Sequence, residues 1–228
     1  MAFGITWIGH ATFRLETSGY QLLVDPYLRN NPAASVDADS VEADYILVTH
    51  GHGDHIGDTV EIAQRTGATV ISNAEICGWL RKKDVKVHGQ HLGGGFTYPF
   101  GYLKLTLALH GSALPDGSYG GNPAGFLLTT NEGEKIYLAG DTGLFGDMRL
   151  IGEEGVTLAV IPIGDNYTMG PADALRAVKL LSPEVVIPMH FNTFDLIAQD
   201  AEAWAKNVLA ETGAQVHVLK PGESFVYP

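Results

Sequence analysis

Three histidines and one aspartate fall within six positions of the segment VTHGHGDHIGD, residues 48–58. They are His50, His52, Asp54 and His55, and only glycines separate the first three of them. Imidazole and carboxylate groups are the side chains that bind zinc and related divalent ions. Packing so many titratable groups at one place costs free energy unless a cation organises them. The segment therefore predicts half of a metal site rather than a polar turn.

Further metal-ligand residue types follow other short apolar runs of the chain. YILVT precedes His50, LTLAL precedes His110, IYLAG precedes Asp141, and VVIPM precedes His190. Alone, each residue has an ordinary explanation, such as a surface histidine or an aspartate that forms a turn. Strand ends, however, carry the loops that build sites on a rigid frame. Four such ends, together with the cluster, predict one constellation.

The spacing inside the cluster indicates how it could be used. Residues i and i+2 of a strand point to the same side, so His50 and His52 can aim at one ion. Asp54 and His55 lie beyond the strand, and we expect them on a glycine-rich turn that lets the backbone come close to a metal. A helix is predicted to start near here, at GDTVEIAQ.

Strands and helices must position these residues, and the sequence predicts both. Twelve short runs rich in β-branched and aromatic residues predict strands: GITWIG, TFRLET, YQLLVD, DYILVT, ATVIS, YLKLTLAL, GFLLTT, KIYLAG, TLAVIPI, EVVIPM, QVHVL and SFVYP. Four segments predict helices: DTVEIAQRTG, AEICGWLRKKD, GPADALRAVKLLSP and DAEAWAKNVLAETG. Several strands are apolar throughout, so we expect both of their faces to be covered, in a layered α/β or α+β domain with outer helices.

Length and composition limit the classes of protein. The 228 residues predict a single domain over 1–228. A net charge of −12 argues against a nucleic-acid partner, which normally meets a basic face. Cys77 alone cannot form an internal disulfide. Neither a signal peptide nor a membrane span is apparent, so we expect a cytoplasmic protein with no membrane partner. The sequence leaves open a homo-oligomer.

Taken together, these motifs resemble the metallo-β-lactamase superfamily. HGHGDH matches its H-x-H-x-D-H signature, and His110, Asp141 and His190 match the order and kind of its remaining ligands. WIGHATFRL, LLVDPYL, GDTG and PMHFNTF are similar to a subgroup of small bacterial metal-dependent hydrolases, related to the L-ascorbate-6-phosphate lactonases and to N-acyl-phosphatidylethanolamine phospholipase D. The resemblance implies a four-layer αβ/βα sandwich of two mixed β-sheets with helices outside.

The resemblance also implies a role for each ligand. His50, His52 and His110 would hold a first divalent ion, and Asp54, His55 and His190 a second. Asp141 and a hydroxide would bridge the two ions. The donor set suits zinc and leaves manganese or iron open. His52 stands where the oxygen-reducing di-iron branch usually carries glutamate, which favours hydrolysis.

The implied activity is a dinuclear hydrolase, of lactonase, esterase or phosphodiesterase type, that uses the bridging hydroxide to cleave a small ester, lactone or phosphodiester. Two ions, two carboxylates and a hydroxide leave about one positive charge, which would attract an anionic small-molecule substrate. Asp54 is the candidate to orient the nucleophile and accept its proton. The alternative is a non-catalytic metal-binding or sensing module that retains the fold.

Residues near the predicted ligands are further candidates. His10 follows a strand and would contact substrate or protonate the leaving group, unless it is a structural histidine. Asp25 is either a hydrogen-bond acceptor for a ligand histidine or a turn aspartate before Pro26. Loops 164–170 and 190–194 are predicted to shape the pocket through Asp165, Asn166, Tyr167, Asn192 and Phe194. Residues 29–44 are expected to form a surface loop.

Overall fold

Two seven-stranded mixed β-sheets face each other in the computed structural model, which describes residues 3–228. Met1 and Ala2 lie outside the described residues. They are the first two residues of the N-terminal segment in which no signal peptide is apparent. Side chains from both sheets share one hydrophobic core, which includes Phe13 and Leu22 from one sheet and Leu103 and Phe126 from the other. The helices pack on the outer faces. The predicted αβ/βα sandwich is confirmed.

Within residues 3–228, fourteen strands form the two sheets. They are β1 (Phe3–Gly9), β2 (Thr12–Thr17), β3 (Tyr20–Val24), β4 (Tyr45–Leu47), β5 (Thr69–Asn73), β6 (Val87–Gln90), β7 (Gly95–Tyr98), β8 (Gly101–Leu107), β9 (Ala124–Thr130), β10 (Lys135–Leu138), β11 (Leu158–Pro162), β12 (Val185–Met189), β13 (Gln215–Val216) and β14 (Ser224–Tyr227).

The two sheets repeat one pattern. The first has the order β14-β1-β2-β3-β4-β5-β6 and the second β13-β12-β11-β10-β9-β8-β7. In the first sheet, β1, β2 and β3 pair antiparallel, and β3 to β6 then pair parallel. In the second, β7 to β10 are antiparallel and β10 to β13 parallel. β14 follows the strands of the second sheet along the chain but pairs with β1 of the first sheet. The last strand of the chain therefore connects the two halves.

Residues 3–228 contain six α-helices, the longer of which pack against the sheets. They are α1 (Gly53–Ile56), α2 (Thr59–Thr66), α3 (Ala74–Arg81), α4 (Met148–Gly152), α5 (Pro171–Leu181) and α6 (Ala201–Glu211). Asn73 caps α3 by accepting a hydrogen bond from Ile76 N, and Pro171 stands in the first turn of α5, where its missing N–H costs nothing. A second apolar cluster, with Ile62 and Leu80, fills the space under α2 and α3.

Some elements differ from the sequence prediction. β6 and β7 were not predicted, because VHGQ and GFTY are short and lie at sheet edges, where no apolar run is required. α1 and α4 are one-turn helices, too short for a periodic pattern. The helix predicted at DAEAWAKNVLAETG is present as α6, which packs through Ala201, Trp204 and Val208, whereas Leu209 is 66% exposed. Among residues 3–228, no helix has the length and apolarity needed to cross a membrane.

Candidate metal centre

Four strand ends from the two sheets deliver the predicted ligands to one place. His50 follows β4 of the first sheet, while His110, Asp141 and His190 follow β8, β10 and β12 of the second. Their side chains approach within a few ångströms of one another, although up to 140 positions separate them along the chain. The site therefore depends on the packing of one sheet against the other.

Asp54 and His55 lie on the short helix α1, which corrects the prediction of a glycine-rich turn. His52 stands just before its first residue, and the helix ends at Gly57, which has φ +23°. A Cβ on Gly57 would lie 2.5 Å from the Pro26 carbonyl oxygen. This close approach fixes α1 against the loop that follows β3.

One cluster contains three histidines. His50, His52 and His110 each offer a ring nitrogen, and these atoms lie within 4.8 Å of one another. The His50 Nε2 and His52 Nδ1 atoms are 3.0 Å apart. Two nitrogens bound to one tetrahedral zinc at about 2.1 Å would lie about 3.4 Å apart, so this spacing suits a shared cation.

A second cluster contains Asp54, His55 and His190, together with His10. His55 Nε2 and His190 Nε2 are each 3.9 Å from Asp54 Oδ2. His10 Nε2 is closer, at 3.2 Å from the same oxygen. His10 thus lies in the site, and its contact with substrate stays a prediction.

Asp141 lies between the clusters. Its Oδ2 atom is 3.0 Å from His190 Nε2, 3.3 Å from His55 Nε2 and 3.5 Å from His110 Nε2. Two of these histidines belong to the second cluster and one to the first, so a single carboxylate oxygen faces both.

The donor atoms fit a cationic cofactor. His55 Nε2, both ring nitrogens of His190, and Asp141 Oδ1 are buried and lack a hydrogen-bond partner among the described residues. Buried polar groups without partners are costly, and a cation held by Asp141, His55 Nε2 and His190 Nε2 would supply the partner that these three groups lack. The donor set of five imidazoles and two carboxylates is also the set that zinc and similar ions accept.

Burial and neighbouring charges shift the pKa values of three predicted ligands toward the forms that bind a metal. Burial holds the pKa of His50 well below its usual value, and it lowers that of His110 as well. Burial alone would raise the pKa of Asp141, but His190 and His55 outweigh it and hold that pKa well below the usual range. Neutral imidazoles and an ionised carboxylate are the ligating forms.

His55 differs from the other histidines. Its burial alone would lower its pKa, yet Asp141 and Asp25 outweigh that effect and raise the pKa well above the usual value. A cation at His55 Nε2 therefore competes with a proton for the same lone pair.

Asp25 is a hydrogen-bond acceptor for a ligand histidine, which is one of the two roles that its sequence context allowed. Its Oδ2 is 2.8 Å from His55 Nδ1, and the carboxylate is buried. Asp25, His10 and His190 all have positive φ, between 43° and 57°. Non-glycine residues in this region store strain that clusters at functional sites. His190 N also donates to His10 O, which joins the two sheets directly at the site.

The His10 ring has a defined environment. Burial lowers its pKa to about 4, so the ring is neutral at pH 7. Its Nδ1 is 2.9 Å from Thr193 Oγ1 and its Nε2 faces Asp54. The edges of Tyr27 and Phe194 lie against it, with ring centroids 5.8 and 5.7 Å away. Nothing in the sequence singles out Thr193, because a lone threonine in a loop has no distinctive type or spacing.

The predicted pocket loops contribute unequally. Phe194 reaches the site through His10, and it is 42% exposed. Asn192 Oδ1 accepts from Gln199 N instead, and Asp165 Oδ1 accepts from Asn166 N within its own loop. Tyr167 is exposed, and its loop is held beside the site by the Met169 N to Thr142 O hydrogen bond.

Other features of the sequence lie outside the centre. The His88 ring packs on Phe96 and the His217 ring on Phe225. Residues 29–44 do form a surface loop, pinned to the body by the hydrogen bond from Ser35 N to Ile8 O.

Sequence comparison identifies related proteins over nearly the whole chain. Residues 4–190 match the model of the β-lactamase superfamily domain. A UPF0173 metal-dependent hydrolase of Heliobacterium modesticaldum is 47% identical over 229 residues, covering 97% of this chain and 96% of the relative. One from Thermus thermophilus is 47% identical over 219 residues, with 96% of each chain covered.

Solved structures agree in fold. Igni18, a metallo hydrolase from the archaeon Ignicoccus hospitalis, superposes with a TM-score of 0.90 at 37% identity, with both chains fully covered. An isothiocyanate hydrolase from Delia radicum gut bacteria has a TM-score of 0.78 at 20% identity, with 98% of each chain covered, and shares the fold.

Proposed function

The chain belongs to the metallo-β-lactamase superfamily as a metal-dependent hydrolase, and on that premise we propose that it holds two divalent cations and hydrolyses a small ester or lactone. The observation that carries the proposal is the position of Asp141 Oδ2, which faces histidines of both clusters at 3.0–3.5 Å. His50, His52 and His110 would hold one ion, and Asp54, His55 and His190 the other, with Asp141 shared. Zinc suits these donors, as would manganese or iron.

When bound, such a pair of ions supplies a water activated near neutral pH and polarises the bond under attack. The protein's own residues would hold the ions and orient the incoming water. Asp54 is the acidic ligand with access to solvent, since its side chain is 35% exposed. It can orient the incoming water through a hydrogen bond to its carboxylate. The hydrogen bond from His10 Nε2 holds Asp54 in place and, together with nearby histidines, keeps its pKa well below the usual range against the effect of burial.

The surroundings favour an ester or lactone over a phosphodiester. Within the described residues, no lysine or arginine comes within 4 Å of an acidic ligand of the site, whereas Arg29, the basic residue of the loop after Tyr27, is paired with Asp39 and Glu61. A phosphodiester carries its single charge on the reacting phosphate, which the ions themselves would meet, so the proposal of an ester or lactone rests on the aromatic rings beside His10. Phe194 and Tyr27 instead offer apolar contact beside His10. The residual charge of the centre would then attract only the reacting, anion-forming group.

A substrate screen tests this proposal. Purified protein loaded with Zn²⁺, Mn²⁺ or Fe²⁺ is assayed with p-nitrophenyl esters, simple lactones and bis-p-nitrophenyl phosphate. We expect turnover of esters or lactones, its loss in Asp54→Asn and after chelation, and its retention in His217→Ala, whose ring packs on Phe225 away from the site. Preferred turnover of the phosphodiester would contradict the substrate class.

The second candidate is a metal-binding or sensing module without catalysis. The ligand set alone cannot distinguish it, but the exposed side of Asp54 favours the hydrolase, because a binder needs no ligand open to solvent. Tight uptake of metal with no turnover of any of these substrates would establish the module instead.

A further inference from the structure

Thr49 stands directly before His50, and neither its type nor its spacing drew attention in the sequence. It is 1% exposed. Its hydroxyl lies between two groups of the metal centre, 2.7 Å from Asp25 Oδ2 and 3.0 Å from His50 Nδ1. This hydroxyl is not a ligand, so its effect on the centre must pass through these two neighbours.

The direction of each hydrogen bond follows from counting hydrogens. An ionised carboxylate only accepts. Asp25 Oδ2 accepts from the Thr49 hydroxyl and from His55 Nδ1, and Oδ1 accepts from Thr49 N at 2.8 Å. A hydroxyl has one hydrogen, and Thr49 gives it to Asp25. Thr49 Oγ1 can therefore only accept from His50, which must carry its proton on Nδ1.

The same tautomer results for both histidines. With Nδ1 protonated, His50 and His55 each present a bare Nε2 to the centre. His50 belongs to the cluster with His52 and His110, and His55 to the cluster with Asp54 and His190. One buried carboxylate thus orients a histidine in each cluster, directly for His55 and through the threonine for His50.

The threonine hydroxyl is itself held in place. A Cβ on Gly140 would lie 2.9 Å from both Cβ and Cγ2 of Thr49, so the Gly140 backbone packs tightly against this side chain. Gly140 has φ +62° and immediately precedes Asp141. The contact restricts the rotamer of Thr49, and it keeps the hydroxyl aimed at Asp25 and His50.

We propose that Thr49 is a positioning residue that relays the orienting effect of Asp25 to His50, so that one carboxylate orients a histidine in each metal site; this rests on the proposed function for the existence of those sites. Outer hydrogen-bond partners of metal ligands typically change metal affinity by ~10–100-fold when they are lost. The loss at Thr49 should fall on the first site, whereas a loss at Asp25 should fall on both.

Metal titration of matched variants tests the relay. Thr49→Val keeps the shape and removes the hydroxyl, and Thr49→Ser restores it. Thr157→Val removes a buried hydroxyl that accepts only from Lys135 N, away from the centre, and serves as the control. Zn²⁺ and Co²⁺ affinities are measured by competition with a chromophoric chelator, and bound metal by elemental analysis.

We expect Thr49→Val to weaken one of two ions by ~10–100-fold and to leave the other unchanged. Asp25→Asn should weaken both, while Thr49→Ser and Thr157→Val should bind like the wild type. The relay would be overturned if Thr49→Val bound both ions with wild-type affinity. An equal loss of affinity for both ions would overturn it as well. Failure of the wild-type chain to bind any metal would instead refute the proposed function.

A measurement on the unmodified protein covers the case in which Thr49→Val does not fold. Long-range ¹H–¹⁵N spectra of the zinc-loaded protein report which ring nitrogen of each histidine carries a proton. We expect His50 and His55 to be protonated at Nδ1. A His50 ring protonated at Nε2 would overturn the relay.

Discussion

Single residues determine whether the centre can hold cations at all, and Asp141 is the residue on which both clusters depend. Its Oδ2 faces His190, His55 and His110, and its Oδ1 is buried without a hydrogen-bond partner. Removing the carboxylate takes away the oxygen that faces all three histidines. The ions would then lose their shared ligand.

We therefore expect Asp141→Ala to lose at least one of two bound ions and more than ~99% of turnover, since a catalytic ion supplies several kcal/mol to the transition state. Elemental analysis and the ester assay measure the two quantities. Asp116→Ala, which removes a fully exposed carboxylate hydrogen-bonded to Ser118 and Trp79, is the control. Wild-type metal content together with wild-type turnover in Asp141→Ala would refute the assignment.

The raised pKa of His55 predicts how metal affinity depends on pH. In the metal-free protein the carboxylates of Asp141 and Asp25 outweigh the effect of burial and raise the pKa of this ring well above its usual value. A cation can bind Nε2 only when its proton leaves, so lower pH opposes binding. We expect affinity to fall by up to ~10-fold for each pH unit between 8 and 6. Zn²⁺ competition titrations at pH 6, 7 and 8 measure it, and equal affinities would contradict this account.

The contact between His10 and Asp54 predicts that replacing His10 lowers kcat without loss of bound metal. His10→Asn keeps a residue that tolerates the positive φ but cannot span the distance to Asp54. With Asp54 less well oriented, we expect kcat to fall by ~10–100-fold, with metal content unchanged. His217→Ala should leave kcat unchanged. A wild-type kcat in His10→Asn would remove His10 from the mechanism.

Much of the residue-scale picture could be predicted from sequence, since the seven ligand candidates have distinctive types and spacing. Their roles as ligands stay predictions, although the structure brings them together. Thr49 and Thr193 could not be predicted, because a hydroxyl's partner depends on rotamers and on a neighbouring sheet. Asp25 remained ambiguous for the same reason, until its distance to His55 was known.

At the scale of elements, the short helix α1 sets the direction of Asp54 and His55. It ends at Gly57, whose φ and close approach to Pro26 leave no room for a side chain. The sequence predicted a turn here, because four residues are too few to show a helical period. Strand ends were predicted well, since continuous apolar runs such as those of β11 and β12 must be buried on both faces.

A pair of glycine substitutions tests the role of this helix end. Gly57→Ala should destabilise the fold by ~1–3 kcal/mol, because it combines a strained φ with a steric clash. Gly78→Ala, in the middle of α3 with nothing within 4 Å of its Cβ, should stabilise by up to ~1 kcal/mol. Urea unfolding at fixed zinc concentration measures both. Equal effects of the two substitutions would show that α1 needs no glycine at its end.

For the whole molecule, the centre lies at the boundary between two halves of similar topology. His50 belongs to one sheet, whereas His110, Asp141 and His190 belong to the other. Cations shared across this boundary would stabilise the folded state alone. The family resemblance implied the αβ/βα sandwich, which is confirmed, whereas the strand and helix patterns predicted only a layered α/β or α+β domain. The single domain over 1–228 and the cytoplasmic location stay predictions.

Metal removal should therefore lower thermal stability. A ligand present at 100 times its Kd stabilises by ~2.7 kcal/mol, which corresponds to ~5–10 °C in Tm for a chain of this length. Calorimetry of zinc-loaded and chelator-treated protein measures the change, and readdition of Zn²⁺ should reverse it. An unchanged Tm would show that the ions do not hold the two halves together.

The metal content of the protein tests the central claim most directly. Elemental analysis of protein purified without chelators, and again after incubation with Zn²⁺, Mn²⁺ or Fe²⁺ and removal of excess, gives the number of ions per chain. We predict two divalent ions in the wild type and fewer in Asp141→Ala. A chain that binds none of these ions under any of these conditions would contradict the account.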